Sequence, residues 1–329
     1  MRLPHHLVES RFFQFESVDE LISALGISIS PQDAEEIKYL SNRGLPPVVS
    51  REVLATIVGV NSGMIWSMER NARKYYRSFI IPKGTGQRQI YAPRIALKII
   101  QKWVSYHLTK LYEPPAHVFG FVPGRSHLQA ASQHCRAQWI FSVDVREFFP
   151  TTSYSQVETT LQHLGYGTVA SALLAKLCCL NGSLAQGAPT SPPLSNFVFR
   201  DVDQDLSEIA NLFGARLSRY ADDIVYSGLG SFPDELPQAV NQLFEKLPWK
   251  LAPEKTQIAK LPQRLKVHGL LVHGDHIRLT KGYRNRIRAF EHLVRYGKIK
   301  KSDVSRIRGH IQYANQVSGK VSILGTNDT

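Results

Sequence analysis

Three acidic residues stand at positions where a chain gathers charge that packing alone would not ask for. Asp144 closes the apolar run Ile140-Phe141-Ser142-Val143, and Asp222-Asp223 lies between Leu217-Ser218-Arg219-Tyr220-Ala221 and Ile224-Val225-Tyr226. Apolar stretches on both sides of the pair predict a tight hairpin with the acids at its bend. Converging carboxylates repel, so holding three together costs free energy unless a cation neutralises them, and hard oxygen ligands suit Mg²⁺. A pair of such ions about 4 Å apart can activate a hydroxyl and stabilise a leaving pyrophosphate, the two halves of nucleotidyl transfer. An isolated Asp-Asp pair more often marks a solvated turn, so its company must decide.

The elements that must position these acids follow from periodicity and punctuation. Residues 1–75 predict short helices. Ser17-Val18-Asp19-Glu20 has the spacing of a capping box ahead of Leu21, Ile22 and Leu25, and Gly26 can close that helix. Ser30-Pro31 offers a cap followed by proline at the first helical position, and Gly44 with Pro46-Pro47 ends the helix. Ser50 opens a third helix through Ile57, and Val60-Asn61-Ser62-Gly63 turns into a fourth from Met64 to Tyr75. These two resemble a helix-turn-helix only as any two short helices joined by a glycine turn do, so ordinary packing is the favoured reading. From Tyr76 the period changes: Phe79-Ile80-Ile81, the turn Gly84-Thr85-Gly86 and Arg88-Gln89-Ile90-Tyr91 predict a β-hairpin. Leu97, Ile100, Val104, Leu108 and Leu111 predict an amphipathic helix over 95–111. A buried strand over 140–145 follows, then helical segments around 154–180 and 192–213 and a strand pair around 217–228.

Composition bounds the rest. With 329 residues and 43% of them hydrophobic, the chain has material for a real core, arranged as one elaborate domain or as two to three subdomains; a disordered tail protein is excluded as a class. Cys135, Cys178 and Cys179 cannot make a disulfide framework, and the start Met1-Arg2-Leu3-Pro4 lacks the apolar run of a signal peptide. No stretch approaches the roughly 20 apolar residues that span a bilayer. A soluble, cytoplasmic protein without a membrane partner is expected. The net charge is +13, and it is uneven: between Arg264 and Arg308 thirteen basic residues face three acids, so ten of the thirteen excess charges lie there. Such a block predicts a polyanionic partner, most commonly nucleic acid. The twelve histidines show no Cys/His spacing that would hold zinc.

The company of the acids resembles that of reverse transcriptases, and within them the bacterial retron type. Asp144 with Phe148-Phe149-Pro150-Thr151 is similar to the first palm motif, and Gln186-Gly187-Ala188-Pro189-Thr190-Ser191-Pro192 with Leu194-Ser195-Asn196 to the second. Tyr220-Ala221-Asp222-Asp223 resembles the third and Leu251-Ala252-Pro253-Glu254-Lys255-Thr256 the fourth, with alanine where the family commonly has asparagine. The resemblance runs from about Tyr75 to Arg295. Two further stretches point to the retron branch: Ala130-Ala131-Ser132-Gln133-His134, which lacks the branch's usual asparagine, and Val267-His268-Gly269, where threonine has become histidine.

The resemblance implies a right-hand polymerase of mixed α/β (α+β) class: an N-terminal helical region (1–75), fingers (76–140), a ferredoxin-like palm (141–265) and a basic helical thumb (266–329). It assigns two Mg²⁺ ions to Asp144, Asp222 and Asp223, with the carbonyl of Val145 as an extra oxygen. Lys255 would act on the pyrophosphate. Phe149 would lie under the sugar and exclude a 2′-hydroxyl, Gln186 and Gly187 would border the nascent base pair, and Lys83 and Arg88 would grip the triphosphate. Arg125, His134, Val267, His268, Gly269, Lys281, Tyr283, Arg284 and Arg288 are the expected nucleic-acid contacts. The partners implied are dNTPs, a cognate non-coding RNA, its RNA-linked single-stranded DNA product, and a separately encoded effector in antiphage defence. Two other readings stay open: a reverse transcriptase of the abortive-infection or 3′-primed kind, and an RNA-binding scaffold whose polymerase has decayed.

Overall fold

The computed structural model describes residues 5–84 and 86–319, apart from the side chains of His5, His6, Ser28 and Lys83. The chain opens with helices α1 (His5–Glu9), α2 (Val18–Leu25), α3 (Pro31–Asn42), α4 (Arg51–Val58) and α5 (Ser62–Arg70). Their starts are set by side-chain caps: Ser17, Ser30 and Ser50 each accept from the backbone N–H three residues on, and Asn61 from that of Gly63. The capping box at Ser17 is only half formed, because the Glu20 carboxylate accepts from the N–H of Glu16 and not from that of the cap itself. The fourth predicted helix stops at Arg70 and gives way to a 3₁₀ turn over Ala72–Tyr75.

A long hairpin follows, β1 (Tyr76–Lys83) against β2 (Gly86–Pro93), paired over eight positions from Tyr76↔Pro93 to Lys83↔Gly86. Helix α6 (Ile95–Leu111) matches the predicted span and buries Leu97, Ile100, Val104 and Leu108. After α7 (His127–Ser132) come β3 (Trp139–Asp144), α8 (Phe148–Thr151), α9 (Tyr154–Leu164) and α10 (Thr168–Cys178). A two-residue pair, β4 (Cys179–Leu180) with β5 (Ser183–Leu184), precedes α11 (Ser191–Val198) and α12 (Arg200–Leu212). Then come β6 (Arg216–Tyr220), β7 (Asp223–Gly228), α13 (Leu236–Glu245) and β8 (Gln257–Lys260).

Strands β6, β7, β3 and β8 lie in that order in one antiparallel sheet. In chain order they read β-α-β-β-α-β with the first and third strands central, which is the ferredoxin-like arrangement. Alternation of side chains gives the sheet two different faces. Phe141, Val143, Ile224 and Tyr226 pack with Val202 and Leu206 of α12 and Val240 and Phe244 of α13. Ile140 and Val225 point the other way, into a cluster with Ala131, Leu265, Val267, Ile287 and Ala314.

That second cluster belongs to the C-terminal part. It begins not with helix but with a small sheet, β9 (Lys266–Val267), β10 (Leu270–Leu271) and β11 (Arg278–Leu279). Helices α14 (Lys281–Arg295) and α15 (Val304–Val317) follow. The N-terminal helices share one apolar core with α6, α9, α10 and α11, running from Leu21 to Phe197. Among the described residues no helix is long and apolar enough to cross a membrane.

Candidate active site

The turn between β6 and β7 is two residues long, with Tyr220 paired to Asp223 across it. Ala221, its first residue, takes φ 59°, a left-handed conformation that costs an L-residue roughly 1–2 kcal/mol. This turn delivers Asp222 beside the end of β3, where Asp144 is registered directly opposite Asp223 and the Val145 N–H donates to the Asp222 carbonyl at 3.0 Å. The three aspartates are thus brought together by one strand pairing, as the sequence pattern predicts. The backbone beyond β3 is tied down by Arg146 N–H to the Lys250 carbonyl and Ala252 N–H to the Asp144 carbonyl, both 2.8 Å.

The electrostatics reflect the crowding. Burial raises the Asp144 carboxyl above its ordinary value and the neighbouring Asp222 and Asp223 push it further, against the pull of the Lys255 ammonium, which forms an ion pair with Asp144 Oδ1. Asp223 moves the other way: burial works to raise it, but attraction to His268, a shared hydrogen bond with Asp144 and the charge of Lys255 outweigh it. His268 Nδ1 lies 3.7 Å from Asp223 Oδ2, too long for a hydrogen bond and short enough for attraction when the ring is protonated. Among the described residues no group of three or more His, Cys, Asp or Glu side chains is arranged to hold a metal ion, so there is no all-protein cage. Mg²⁺ seldom asks for one, since one or two carboxylates and substrate phosphates ordinarily hold it, and an aspartate-rich strand end fits that chemistry.

Asp222 borders a cleft of about 700 Å³ whose lining also includes Lys255, Phe149, Gln186 and Arg88. Phe149 is half-buried with its ring 5.8 Å from that of Phe121, a second aromatic on the cleft wall. Arg88 reaches the cleft from β2, and an exposed ion pair, Arg146 to Glu254 at 2.9 Å, sits on its lining. The Lys83 side chain lies outside the described residues. Gly187 packs closely on the hairpin: at φ 115° it lies against β2, where an added Cβ would meet the Tyr91 carbonyl at 2.9 Å, and Tyr91 N–H donates to the Gln186 carbonyl at 2.8 Å. Its lack of a side chain therefore lets the β1–β2 hairpin lie directly on the 186–187 backbone.

Several expected nucleic-acid contacts are inward-facing. His134 is fully buried and bridges Ser227 Oγ and Ser218 Oγ at 2.7 Å each, fastening the end of α7 to the sheet; it cannot touch RNA. Val267 is buried in the C-terminal cluster for the same reason, a β9 side chain turned to the core. The Arg125 guanidinium is spent on the carbonyls of Pro115 and Val118, so it holds the 114–118 loop. Tyr283 donates or accepts at His310 Nδ1 over 2.7 Å and packs edge-on against Tyr313, joining α14 to α15. His268 and Gly269 form the two-residue turn between β9 and β10, both at positive φ, and the His268 ring faces Tyr220 and Asp223. Lys281, Arg284 and Arg288 are exposed on α14. Nothing in the sequence marks His268 as a neighbour of the acids; only the C-terminal sheet folding back onto the turn makes it one.

A ferredoxin-like sheet carrying two acidic strand ends, roofed by a hairpin and flanked by a basic helical part, defines the class of palm-type nucleotide polymerases. The family described as reverse transcriptase (RNA-dependent DNA polymerase) matches residues 81–296, and the chain belongs to it. It is 31% identical over 307 residues to the retron Mx65 reverse transcriptase of Myxococcus xanthus, covering 85% of this chain and 69% of that one. To the retron Ec86 reverse transcriptase of Escherichia coli it is 29% identical over 288 residues, covering 85% and 88%. The chain is accordingly an RNA-directed DNA polymerase.

Proposed function

We propose that this polymerase is the reverse transcriptase of a retron and that Asp144, Asp222 and Asp223 are its catalytic acids. The observation that carries the reading is the register Asp144↔Asp223 with Asp222 in the adjoining turn, at a cleft lined by Arg88, Phe149, Gln186 and Lys255. Asp144 and Asp222, with Asp223 and the Val145 carbonyl beside them, would hold two Mg²⁺ ions. When bound, these would activate the attacking hydroxyl and neutralise the leaving pyrophosphate.

The chain's own residues do the rest. Arg88 offers a fixed fork to the triphosphate. Lys255 holds the charge of Asp144 and stands beside the developing negative charge of the leaving group. Phe149 presents an aromatic face to the sugar, so that an added 2′-hydroxyl meets carbon, and deoxynucleotides are selected by exclusion. The exposed Lys281, Arg284 and Arg288 meet the phosphates of the template duplex and of a structured cognate RNA, which is read by shape and backbone more than by sequence. The product proposed is single-stranded DNA joined to that RNA through a 2′-hydroxyl, made inside the cell as part of an antiphage system with its own effector.

The test is to express the chain with its native flanking DNA, purify it, and run the co-purifying nucleic acid on a denaturing gel with and without RNase, beside Asp222→Asn. A discrete DNA whose mobility shifts after RNase and which is missing from the variant is the expected result. Primer extension on an RNA template without any such DNA would leave the polymerase and remove the retron.

A further inference from the structure

Arg219 is wholly buried, an unusual place for a guanidinium; it lies over the Phe199 ring, and its hydrogen bonds lead to the Ala221-Asp222 turn or to what supports it. Its Nε and Nη2 donate to the two oxygens of Asp203 on α12, both at 2.6 Å. Nη2 also donates to Asn196 Oδ1 on α11 at 3.2 Å, and Nη1 donates to the Ala221 carbonyl at 3.1 Å. The backbone of the same residue is held from the other side: its N–H donates to the His117 carbonyl at 2.7 Å and its carbonyl accepts from Phe119 N–H at 2.8 Å. Asn196 Nδ2 then donates to the Gly120 carbonyl at 3.1 Å, closing the circuit.

Gly120 shows how tightly the turn is held. A Cβ there would stand 2.2 Å from the Ala221 nitrogen, so the two backbones touch with no room between them. The turn is therefore pressed from one side by the 117–120 loop and pulled from the other by one guanidinium N–H. Ala221 needs such support, because its left-handed φ of 59° is a conformation alanine leaves when free to do so. A buried ion pair is in general a poor source of stability compared with apolar packing, so the pairing with Asp203 is better understood by where it aims the remaining donors. Only a planar fork with five donors can serve Asp203, Asn196 and Ala221 at once; an ammonium cannot.

We infer that Arg219, anchored by Asp203 and Asn196, is a positioning residue for the polymerase reaction: it locks the Ala221-Asp222 turn in its left-handed form and so aims Asp222 and Asp223 at the substrate cleft. The inference rests on those aspartates being the catalytic acids. Arg219 touches neither substrate nor reacting atoms. Its loss would act on turnover and on the concentration of Mg²⁺ needed, while leaving dNTP binding through Arg88 and Phe149 in place. Displacing a reacting group by about 1 Å can cost on the order of 100-fold in rate.

The experiment measures kcat, KM for dNTP and half-saturating Mg²⁺ for DNA synthesis by the full chain on a primed RNA template. The set is wild type, Arg219→Lys, Ala221→Gly, the Arg219→Lys/Ala221→Gly double variant, and Asp222→Asn. Arg219→Lys keeps the charge opposite Asp203 but loses the fork. The expected result is a fall in kcat of about 10-fold or more with raised Mg²⁺ requirement and KM for dNTP within about 3-fold. In the double variant, glycine removes the strain that Arg219 counters, so part of the lost kcat returns; a merely structural ion pair would show no such coupling. Wild-type kcat and Mg²⁺ dependence in folded Arg219→Lys would overturn the inference. So would strictly additive losses in the double variant. Should Arg219→Lys fail to fold, Gly120→Ala decides, since it disturbs the same turn with the ion pair intact: the same kcat and Mg²⁺ signature supports the inference and wild-type values refute it. Activity surviving in Asp222→Asn would instead remove the catalytic reading underneath, a different failure.

Discussion

At the scale of single residues, three aspartates held together repel one another, and in the function proposed above two Mg²⁺ ions would neutralise them. Burial and repulsion raise Asp144, while His268 and Lys255 draw Asp223 down. Asp223→Asn is expected to abolish DNA synthesis by at least about 1,000-fold while RNA binding stays within a few-fold, because one charge-bearing ligand is lost and the fold is not. Primer extension and filter binding on one preparation check it, and retained synthesis would sink the assignment. Phe149 supplies a second test. Phe149→Ala should admit ribonucleotides, lowering the dNTP-over-rNTP preference by about 10- to 100-fold, with most of the change in the use of rNTP. A preference that stays at the wild-type value would mean that another group, such as Phe121 on the same wall, does the excluding.

At the scale of elements, three of the polar side chains expected to meet nucleic acid, His134, Arg125 and Tyr283, fasten one segment to another. His134 ties α7 to β6 and β7 through Ser218 and Ser227, one ring nitrogen donating and the other accepting, which only the neutral ring can do. Burial drives its pKa down to about 3, from an ordinary value of 6.5. The folded pKa is therefore below the unfolded one, so the stability this residue confers is complete above about pH 6.5 and is lost as pH falls toward 3. The slope approaches about 1.4 kcal/mol per pH unit for one such histidine. His107, pushed down to about 4 by burial, adds to the same acid sensitivity. Urea midpoints measured between pH 7 and pH 4 should fall steadily, and His134→Gln, though less stable at pH 7, should show the shallower pH dependence. Equal slopes in the two proteins would mean that the titrating groups lie elsewhere.

At the scale of the whole molecule, the excess positive charge is concentrated on the C-terminal part, and α14 displays some of it. Ile287 is buried while Lys281, Arg284 and Arg288, at intervals of three and four, share an exposed stripe. Such a stripe can neutralise phosphates without touching bases, and its contribution must weaken with salt. Replacing Arg284 and Arg288 together by alanine is expected to lower the salt slope of RNA affinity by about 0.7 to 0.9 for each phosphate left without its arginine, nearly uniformly across RNA sequences. An unchanged slope in equilibrium binding across a salt series would move the RNA to another face.

The local chemistry of this protein was legible in the chain itself. Serine caps, the glycine turn of the hairpin, the period of α6 and the acid-bearing strand ends are each specified by residues within a few positions of one another. The motif order then led to the palm and its three aspartates. What a residue beyond those motifs touches depends instead on which distant segment comes to lie on it. His134 and Arg125 look from the sequence like polar groups free to bind, yet Ser218 and Ser227 lie 84 and 93 positions away from His134 and claim it first. His268 reaches Asp223 because β9 and β10 fold back on the turn, and Arg219 reaches Asn196 and Asp203 because α11 and α12 pass behind β6. Burial decides these cases, since a polar group removed from water must take whatever partner the packing supplies, and packing is a property of the whole chain.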